Sequence, residues 1–299
     1  MKKAILIYNP TAGNGNHTKS DLKKLIEGRG FEVKSYSTDS LFWKRFTRKD
    51  ADIIFVAGGD GTVQKLTKVL LEKNKEEFLK IPIQILPYGT ANNIATTLGL
   101  KKAEELIQGP HEKTKFDIGL ISGVEEASFF IEGMGCGIFP RLVRVMKEKD
   151  EEEKQDEIKT SLKELLKLID SYEAEEVIII ADEEEITGKF LLVELMNIRY
   201  IGPNIELAPN ANPGDGSFEL VMVREEARED LKTFIENQLK ETKEEKQLKE
   251  FADLRKVREV RLKYIGRDVH IDDEILENYN GKELKIRNRK RVFYFLKSQ

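Results

Sequence analysis

The sequence predicts two domains: an α/β domain on a parallel sheet, followed by a β-sandwich with inserted helices. Three observations lead there. The first third alternates apolar strand runs with amphipathic helical runs, the order that parallel sheets with right-handed crossovers require. From about Phe116 short strands recur between turn signals, which is the spacing of a sandwich or barrel-like domain. At 299 residues, with 39% apolar and 35% charged residues, the chain can bury two cores under a mixed-charge surface.

In the first domain, residues 1–116, Ala4–Tyr8 reads as a strand that the loop Asn9–Asn16 ends. Lys19–Glu27 follows as a helix with Leu22, Leu25 and Ile26 on its apolar face. Phe31–Tyr36 and Ile53–Ala57 are the second and third strands, and Ile83–Leu86 the fourth. Val63–Lys73 is helical, with Leu66, Val69 and Leu70 on one face, and Ala91–Leu98 starts another helix. The strands expected after that are Phe116–Ile121, Ser128–Glu132, Glu176–Ala181, Phe190–Met196, Ser217–Val223, Val257–Tyr264, Val269–Ile271, Glu283–Ile286 and Val292–Leu296. Two charged stretches, Arg141–Tyr172 and Ala227–Leu254, read as inserted helices with solvated faces, and the run Lys147–Glu157 lies in the first.

Composition narrows the function classes. A net charge of −4 gives no global basic field for nucleic acid or an anionic bilayer, which leaves only local basic patches. The single cysteine, Cys136, excludes internal disulfides and a thiolate metal cluster, and fits a reducing compartment. Residues 4–8 are too short an apolar run for a signal peptide, and no run approaches the ~18 apolar residues of a spanning helix. The expectation is a cytoplasmic protein whose membrane contact, if any, is peripheral. A homodimer is compatible with the sequence.

Three loops at predicted strand ends carry phosphate-handling chemistry. Gly58-Gly59-Asp60-Gly61-Thr62 sets glycines around one acid at a strand-to-helix turn, where backbone can approach a polyanion and Asp60 can hold a metal or a ribose or phosphate group. Asn9-Pro10-Thr11-Ala12-Gly13 offers N–H groups and a hydroxyl ahead of a helix, although a plain turn explains it equally well. Gly89-Thr90-Ala91-Asn92-Asn93 repeats the pattern. Loops at the carboxyl ends of parallel strands share one crevice. In the second domain, Asp215 stands in the glycine turn 210–218, where an oxygen-ligand cation site and an Asx turn are equally supported. Asp272, Asp273 and Glu274 close a strand; a solvated turn explains them, and so does a carboxylate that accepts a hydroxyl proton in phosphoryl transfer. His17, His111 and His270 show no ligand spacing, and His270 reads as structural.

These motifs together resemble the diacylglycerol kinase catalytic-domain family, in its bacterial soluble lipid-kinase branch. The resemblance rests on Asn9-Pro10 with Gly13, Gly58–Thr62, Gly89–Asn92, Phe116-Asp117-Ile118-Gly119, Ala208-Pro209 with Asp215-Gly216, and Ile271–Glu274. It implies a phosphofructokinase- or NAD kinase-like nucleotide domain and a β-sandwich, with ATP and Mg2+ in the cleft between them. It further implies that the end of the chain, 288–299, returns to the first domain and leaves 117–287 as the lipid domain. By the same resemblance Asn9, Pro10, Thr11, Ala12, Gly13, Thr38, Gly58, Gly59, Asp60, Gly61, Thr62, Gly89, Thr90 and Asn92 line the ATP site. Asp215 anchors a Mg2+ with the carbonyls of Asn212 and Phe218, Asp60 and Asp117 match acids associated with the catalytic metal, and Asp272 with Glu274 forms the catalytic pair, Glu274 being the base.

The implied activity is ATP-dependent phosphorylation of a lipid alcohol, diacylglycerol being the family default. Four positions depart from the family pattern: Lys65 replaces Glu, Asn93 replaces Asp, Gly214 replaces Asp, and Asp273 replaces a Gly suited to positive φ. They keep two alternatives open, a kinase of a soluble alcohol such as NAD, and a nucleotide- or lipid-binding paralogue with weakened transfer.

Overall fold

A computed structural model describes residues 1–15, 17–73, 75–100, 111–124, 129–149, 156–240 and 247–298. The chain divides into two units, Met1–Phe116 with Arg291–Gln299, and Asp117–Lys290.

In the first unit β1 (Lys2–Tyr8) pairs in parallel with β2 (Phe31–Ser37) and with β3 (Ile53–Gly58), and β3 pairs with β4 (Pro82–Pro87). The end of β17 (Leu284–Ser298) adds a fifth parallel strand, with Tyr294 opposite Pro82 and Phe295 opposite Ile83. Both faces of this sheet are buried. Ala4, Leu6 and Phe55 pack with Leu22 and Ile26 of helix α1 (Lys19–Glu27), while Ile5, Ile7, Ile54 and Val56 are buried on the other side. That is why these strands read as continuous apolar runs. Helix α1 starts where the Thr18 hydroxyl accepts the Asp21 N–H.

Helix α2 (Asp60–Glu72) begins three residues before the expected start at Val63. Gly59, in extended conformation, caps it, and its first turn is the polar Asp60-Gly61-Thr62, which hydrophobic periodicity cannot register. The short helices α3 (Glu76–Leu79) and α4 (Asn93–Thr97) precede and follow β4.

The second unit is antiparallel. It includes part of β5 (His111–Ser122), β6 (Phe129–Phe130), β7 (Gly133–Gly137), β8 (Glu175–Ala181), the long β9 (Glu184–Met196), and the small pair β10 (Tyr200–Ile201) and β11 (Ile205–Glu206). After them come β12 (Phe218–Arg224), β13 (Asp253–Val257), β14 (Glu259–Tyr264), β15 (Val269–Ile271) and β16 (Glu274–Ile275). The first half of β9 pairs with β8, and its second half with β7 and β12. Alternate residues face two cores. Val193, Leu195, Leu220 and Met222 join one, which lies among the strands. Leu192, Met196, Val221 and Val223 join the other, with residues of the helices Ile138–Glu148, Glu157–Ser171 and Arg228–Lys240.

Several element boundaries are corrected. The stretch expected as helix over Arg141–Tyr172 contains two helices, and most of the acidic run within it, 150–155, lies outside the described residues. Within Ala227–Leu254 the helix Arg228–Lys240 is followed by residues 241–246, which lie outside the described residues, and by a 3-10 turn at Leu248–Glu250; Leu254 belongs to β13, where it pairs with Val221. Val257–Tyr264 is two strands, because Arg258 leaves the ladder to donate its N–H to the Asp182 carboxylate. Glu283–Ile286 and Val292–Leu296 are one strand, β17, whose polar middle hid its continuity.

Candidate active site

The three phosphate-type loops of the first unit are fused into one structure. At the end of β1 the Asn9 N–H donates to the Ala57 carbonyl, and the Asn9 side chain accepts the N–H and hydroxyl of Thr11 at 3.2 and 2.9 Å. Thr38, at the end of β2, donates its N–H to the Tyr8 carbonyl. Gly13 has φ +60°, and a methyl group there would lie 2.7 Å from the Tyr88 carbonyl oxygen. The His17 ring stacks on Tyr88 with centroids 4.3 Å apart.

The glycines of the second and third loops are explained by close approach within and between those loops. A methyl on Gly58 would fall 2.4 Å from the hydroxyl of Thr62 in the same loop, and one on Gly89 would fall 2.3 Å from the Gly59 Cα of the second loop. Between Gly59 and Gly89 backbone lies on backbone, so side chains are excluded from both partners. Gly89→Ala must push the loops apart. We expect about 1–3 kcal/mol of lost stability, by the usual cost of overpacking, together with weaker nucleotide binding by calorimetry.

Asp60 is the clasp. It occupies the first turn of α2, and its two carboxylate oxygens accept the N–H groups of Asn93 and Ile94 at 2.8 and 2.9 Å. The acid of the second loop thus caps the helix that opens from the third. Asn92, at φ +54°, completes the turn: its amide accepts the Gly89 N–H and donates to the Gly89 carbonyl. Lys65 is exposed on α2, and Thr90 is exposed at the loop tip. Asp60→Ala removes two charge-assisted hydrogen bonds, and urea unfolding should show a loss of about 1–3 kcal/mol.

In the second unit Asp117 and Asp272 also meet backbone. Asp117, fully buried, accepts the Gly216 N–H at 2.6 Å, its own N–H donates to the Pro213 carbonyl, and its carbonyl accepts from the Asn197 amide. It therefore ties down the turn that carries Asp215. Asp272 accepts the N–H groups of Ile131, Glu132 and Gly133 at 3.2, 2.8 and 3.2 Å. Its φ is +52°, so the left-handed residue of this turn is Asp272 and not Asp273, where the sequence placed it. Those N–H bonds and the one from Asp272 to the Gly133 carbonyl hold a conformation that aspartate tolerates better than most residues. Glu274 is exposed and lies opposite Ile271 in the β15–β16 ladder.

In the turn 210–218 the polar groups of Asp215 and Asn212 already have protein partners. One Asp215 oxygen accepts the Ser217 N–H at 2.9 Å, and the other lies 2.7 Å from the Lys256 ammonium. The Asn212 carbonyl accepts the Asp215 N–H, Phe218 is a buried core residue, and Gly214 adds no second carboxylate. A cation held by Asp215 would share that carboxylate with Lys256 or displace it.

Sequence reasoning missed a buried pair behind the Asp272 turn. His270, Gly135 and Glu194 stand in register on β15, β7 and β9. A methyl on Gly135 would lie 2.1 Å from Glu194 Oε2, so the bare middle strand lets the outer two side chains meet. His270 Nε2 is 2.8 Å from Glu194 Oε2, and its Nδ1 is 2.7 Å from the Asp272 carbonyl oxygen. A carbonyl only accepts, so Nδ1 carries a proton, and a second proton lies between Nε2 and Glu194. Burial pushes His270 down, but Glu194 and the Asp272 carbonyl together raise it above the usual histidine value. Burial raises the Glu194 carboxyl, and the imidazole offsets this only in part. The pair therefore holds its shared proton. Gly133-Met134-Gly135-Cys136-Gly137 was the available signal: glycines at every second strand position leave one face bare. Cys136, on the other face, is buried in the strand core, and burial raises its thiol well above the ordinary range.

Residues 3–120 match the diacylglycerol kinase catalytic domain. This segment spans 118 of the 299 residues. It holds all three fused loops and Asp60, and ends before Asp215 and Glu274. A diacylglycerol kinase of Bacillus subtilis is 28% identical over 244 residues, covering 75% of this chain and 74% of that protein. One of Staphylococcus haemolyticus is 34% identical over 129 residues, 40% of this chain and 38% of that one. A crystal structure of a diacylglycerol kinase from Bacillus anthracis matches with a TM-score of 0.69 at 19% identity, covering 99% of this chain and 97% of that one. At that identity the likeness establishes the fold, an α/β domain with a mostly parallel sheet joined to a second sheet domain.

Proposed function

We propose that this chain is an ATP-dependent lipid kinase that transfers the γ-phosphate of MgATP to a hydroxyl of diacylglycerol or a related lipid alcohol. The fused cradle carries the reading: three loops at the carboxyl ends of parallel strands, clasped by Asp60, within a diacylglycerol kinase catalytic-domain segment. The N–H groups that open α2 and the loop backbone suit a triphosphate, whose accompanying cation neutralises charge. Glu274, exposed and unobstructed by core packing, is assigned as the proton acceptor. The acceptor hydroxyl loses its proton to Glu274 as its oxygen bonds to the γ-phosphorus; the bond to the β–γ bridging oxygen breaks, and ADP leaves. Asp272 and the His270–Glu194 pair hold the turn on which Glu274 stands. In a cell this reading puts the protein in the cytoplasm, working at a bilayer that holds its acceptor.

The test is transfer of labelled γ-phosphate to diacylglycerol in mixed micelles, a sphingoid base, NAD and glycerol. Transfer to a lipid alcohol alone is expected. Transfer to NAD or glycerol alone would replace this reading with a soluble-alcohol kinase. MgATP binding without transfer to any acceptor would make the chain a binding paralogue, which Lys65 and Asn93 motivate.

A further inference from the structure

Beyond β2 the first unit carries a turn with two adjacent exposed apolar side chains. Leu41 is 92% exposed and Phe42 is 55% exposed, side by side on one turn. Single exposed apolar residues are ordinary, but two large adjacent ones at the apex of an ordered turn have a reason. The turn is held firmly from below. Ser40 donates its N–H to the Ser37 carbonyl, Trp43 to Ser40 and Arg45 to Phe42, forming a short 3-10 turn at Trp43–Arg45. Trp43 and Phe46 are buried beneath it. The Lys73 ammonium donates to the carbonyls of Lys44 and Phe46 at 2.9 and 3.1 Å. Leu41 and Phe42 are thus presented by a fixed platform.

Cations follow those two residues in sequence. Lys44, Arg45 and Lys49 are exposed, and the Arg45 guanidinium lies 4.1 Å from the centre of the Phe42 ring. In sequence, residues 38–49 hold four basic residues against one acid, Asp39, in a chain whose net charge is −4. A local basic cluster beside apolar side chains complements an anionic interface with a hydrocarbon interior. The turn also adjoins the phosphate cradle, because Thr38, three residues before Leu41, donates its N–H to Tyr8 at the end of β1.

We propose that Leu41 and Phe42, with Lys44, Arg45 and Lys49, form a docking tip that inserts into the headgroup region of an anionic phospholipid bilayer. The apolar pair enters the interface while the cations stay at the phosphates. Neither half suffices: two side chains give weak burial, and a few cations give a salt-sensitive attraction. Together they bind reversibly, and this holds whatever the chain phosphorylates.

Trp43 is the single tryptophan of the chain and lies directly under the tip, so it reports the event. The full chain, without nucleotide, is mixed with phosphatidylglycerol–phosphatidylcholine vesicles whose acyl chains are brominated. Co-sedimentation and quenching of Trp43 are expected, both reduced at high salt and on pure phosphatidylcholine. Leu41→Ser with Phe42→Ser should weaken vesicle binding at least tenfold, as should Lys44→Glu with Arg45→Glu, while both double variants keep the wild-type thermal midpoint. Absence of vesicle binding by the wild type, or binding unaltered in the Leu41/Phe42 variant, overturns the proposal. A dimer in light scattering that is lost in that variant, without vesicle binding, also overturns it and makes a second copy of the chain the occupant.

Discussion

Glu194→Ala is expected to lower the free energy of unfolding by about 3–5 kcal/mol, the usual cost of removing one partner from a buried charged pair. Two losses combine. His270 keeps its bond to the Asp272 carbonyl but faces a vacated carboxylate site, and the space under Gly135 becomes a cavity. Glu194→Gln keeps shape and a donor toward the imidazole, so it should cost clearly less, and urea unfolding of the two variants separates charge from volume. The pH dependence has a definite sign. His270 and Glu194 are both raised in the fold, so the native protein binds protons more tightly than the unfolded chain. The His270 contribution is fully present below the ordinary histidine value of about 6.5 and is lost as pH rises through the folded value, while the Glu194 contribution begins to fall above the ordinary carboxylate range. Between pH 6 and pH 9 the wild type should lose more stability than Glu194→Gln. A steeper slope in the variant would show that another group controls this range.

Glu274→Gln should reduce phosphate transfer by about 100- to 10,000-fold, the range for loss of a general base, with little change in unfolding midpoint or MgATP affinity. Its side chain is exposed and outside the core, so the fold has no stake in its charge. Asp272→Asn provides the contrast. The amide keeps one oxygen for the three backbone N–H donors but loses the charge and sets its N–H2 against the Ile131 N–H that now also reaches Oδ2, so both stability and turnover should fall. If Glu274→Gln retained wild-type turnover on the preferred acceptor, the base would have to be sought elsewhere.

The parts of the fold that were legible are those in which one residue type recurs with one period. The parallel sheet followed from unbroken apolar runs such as Ala4–Tyr8 and Ile53–Ala57, and the three loops followed from glycines at strand ends. Elements whose pattern is mixed were lost. The polar first turn of α2 and the charged middle of β17 carry no hydrophobic signal, and β13 was concealed by the helix-like charge run before it. Within the site, sequence placed the acids near the right chemistry but could not show what their oxygens touch. Asp60, Asp117 and Asp272 each accept backbone N–H groups from residues 33, 99 and 141 positions away in one bond or more, a pairing set by tertiary structure alone. The His270–Glu194 contact spans 76 positions and depends on a missing side chain between the two, so neither residue announces it.

The placement of Arg291–Ser298 has a consequence for synthesis. Until those residues have left the ribosome, β4 has no neighbour on its outer side, and the pocket for the fully buried Phe293 and Phe295 stays open. Phe116, which packs on Phe295 with ring centres 4.8 Å apart, meanwhile lacks that partner in the nascent chain. An early stop that removes this segment would leave a sticky strand border, and such fragments should clump or recruit chaperones instead of yielding an independent nucleotide module.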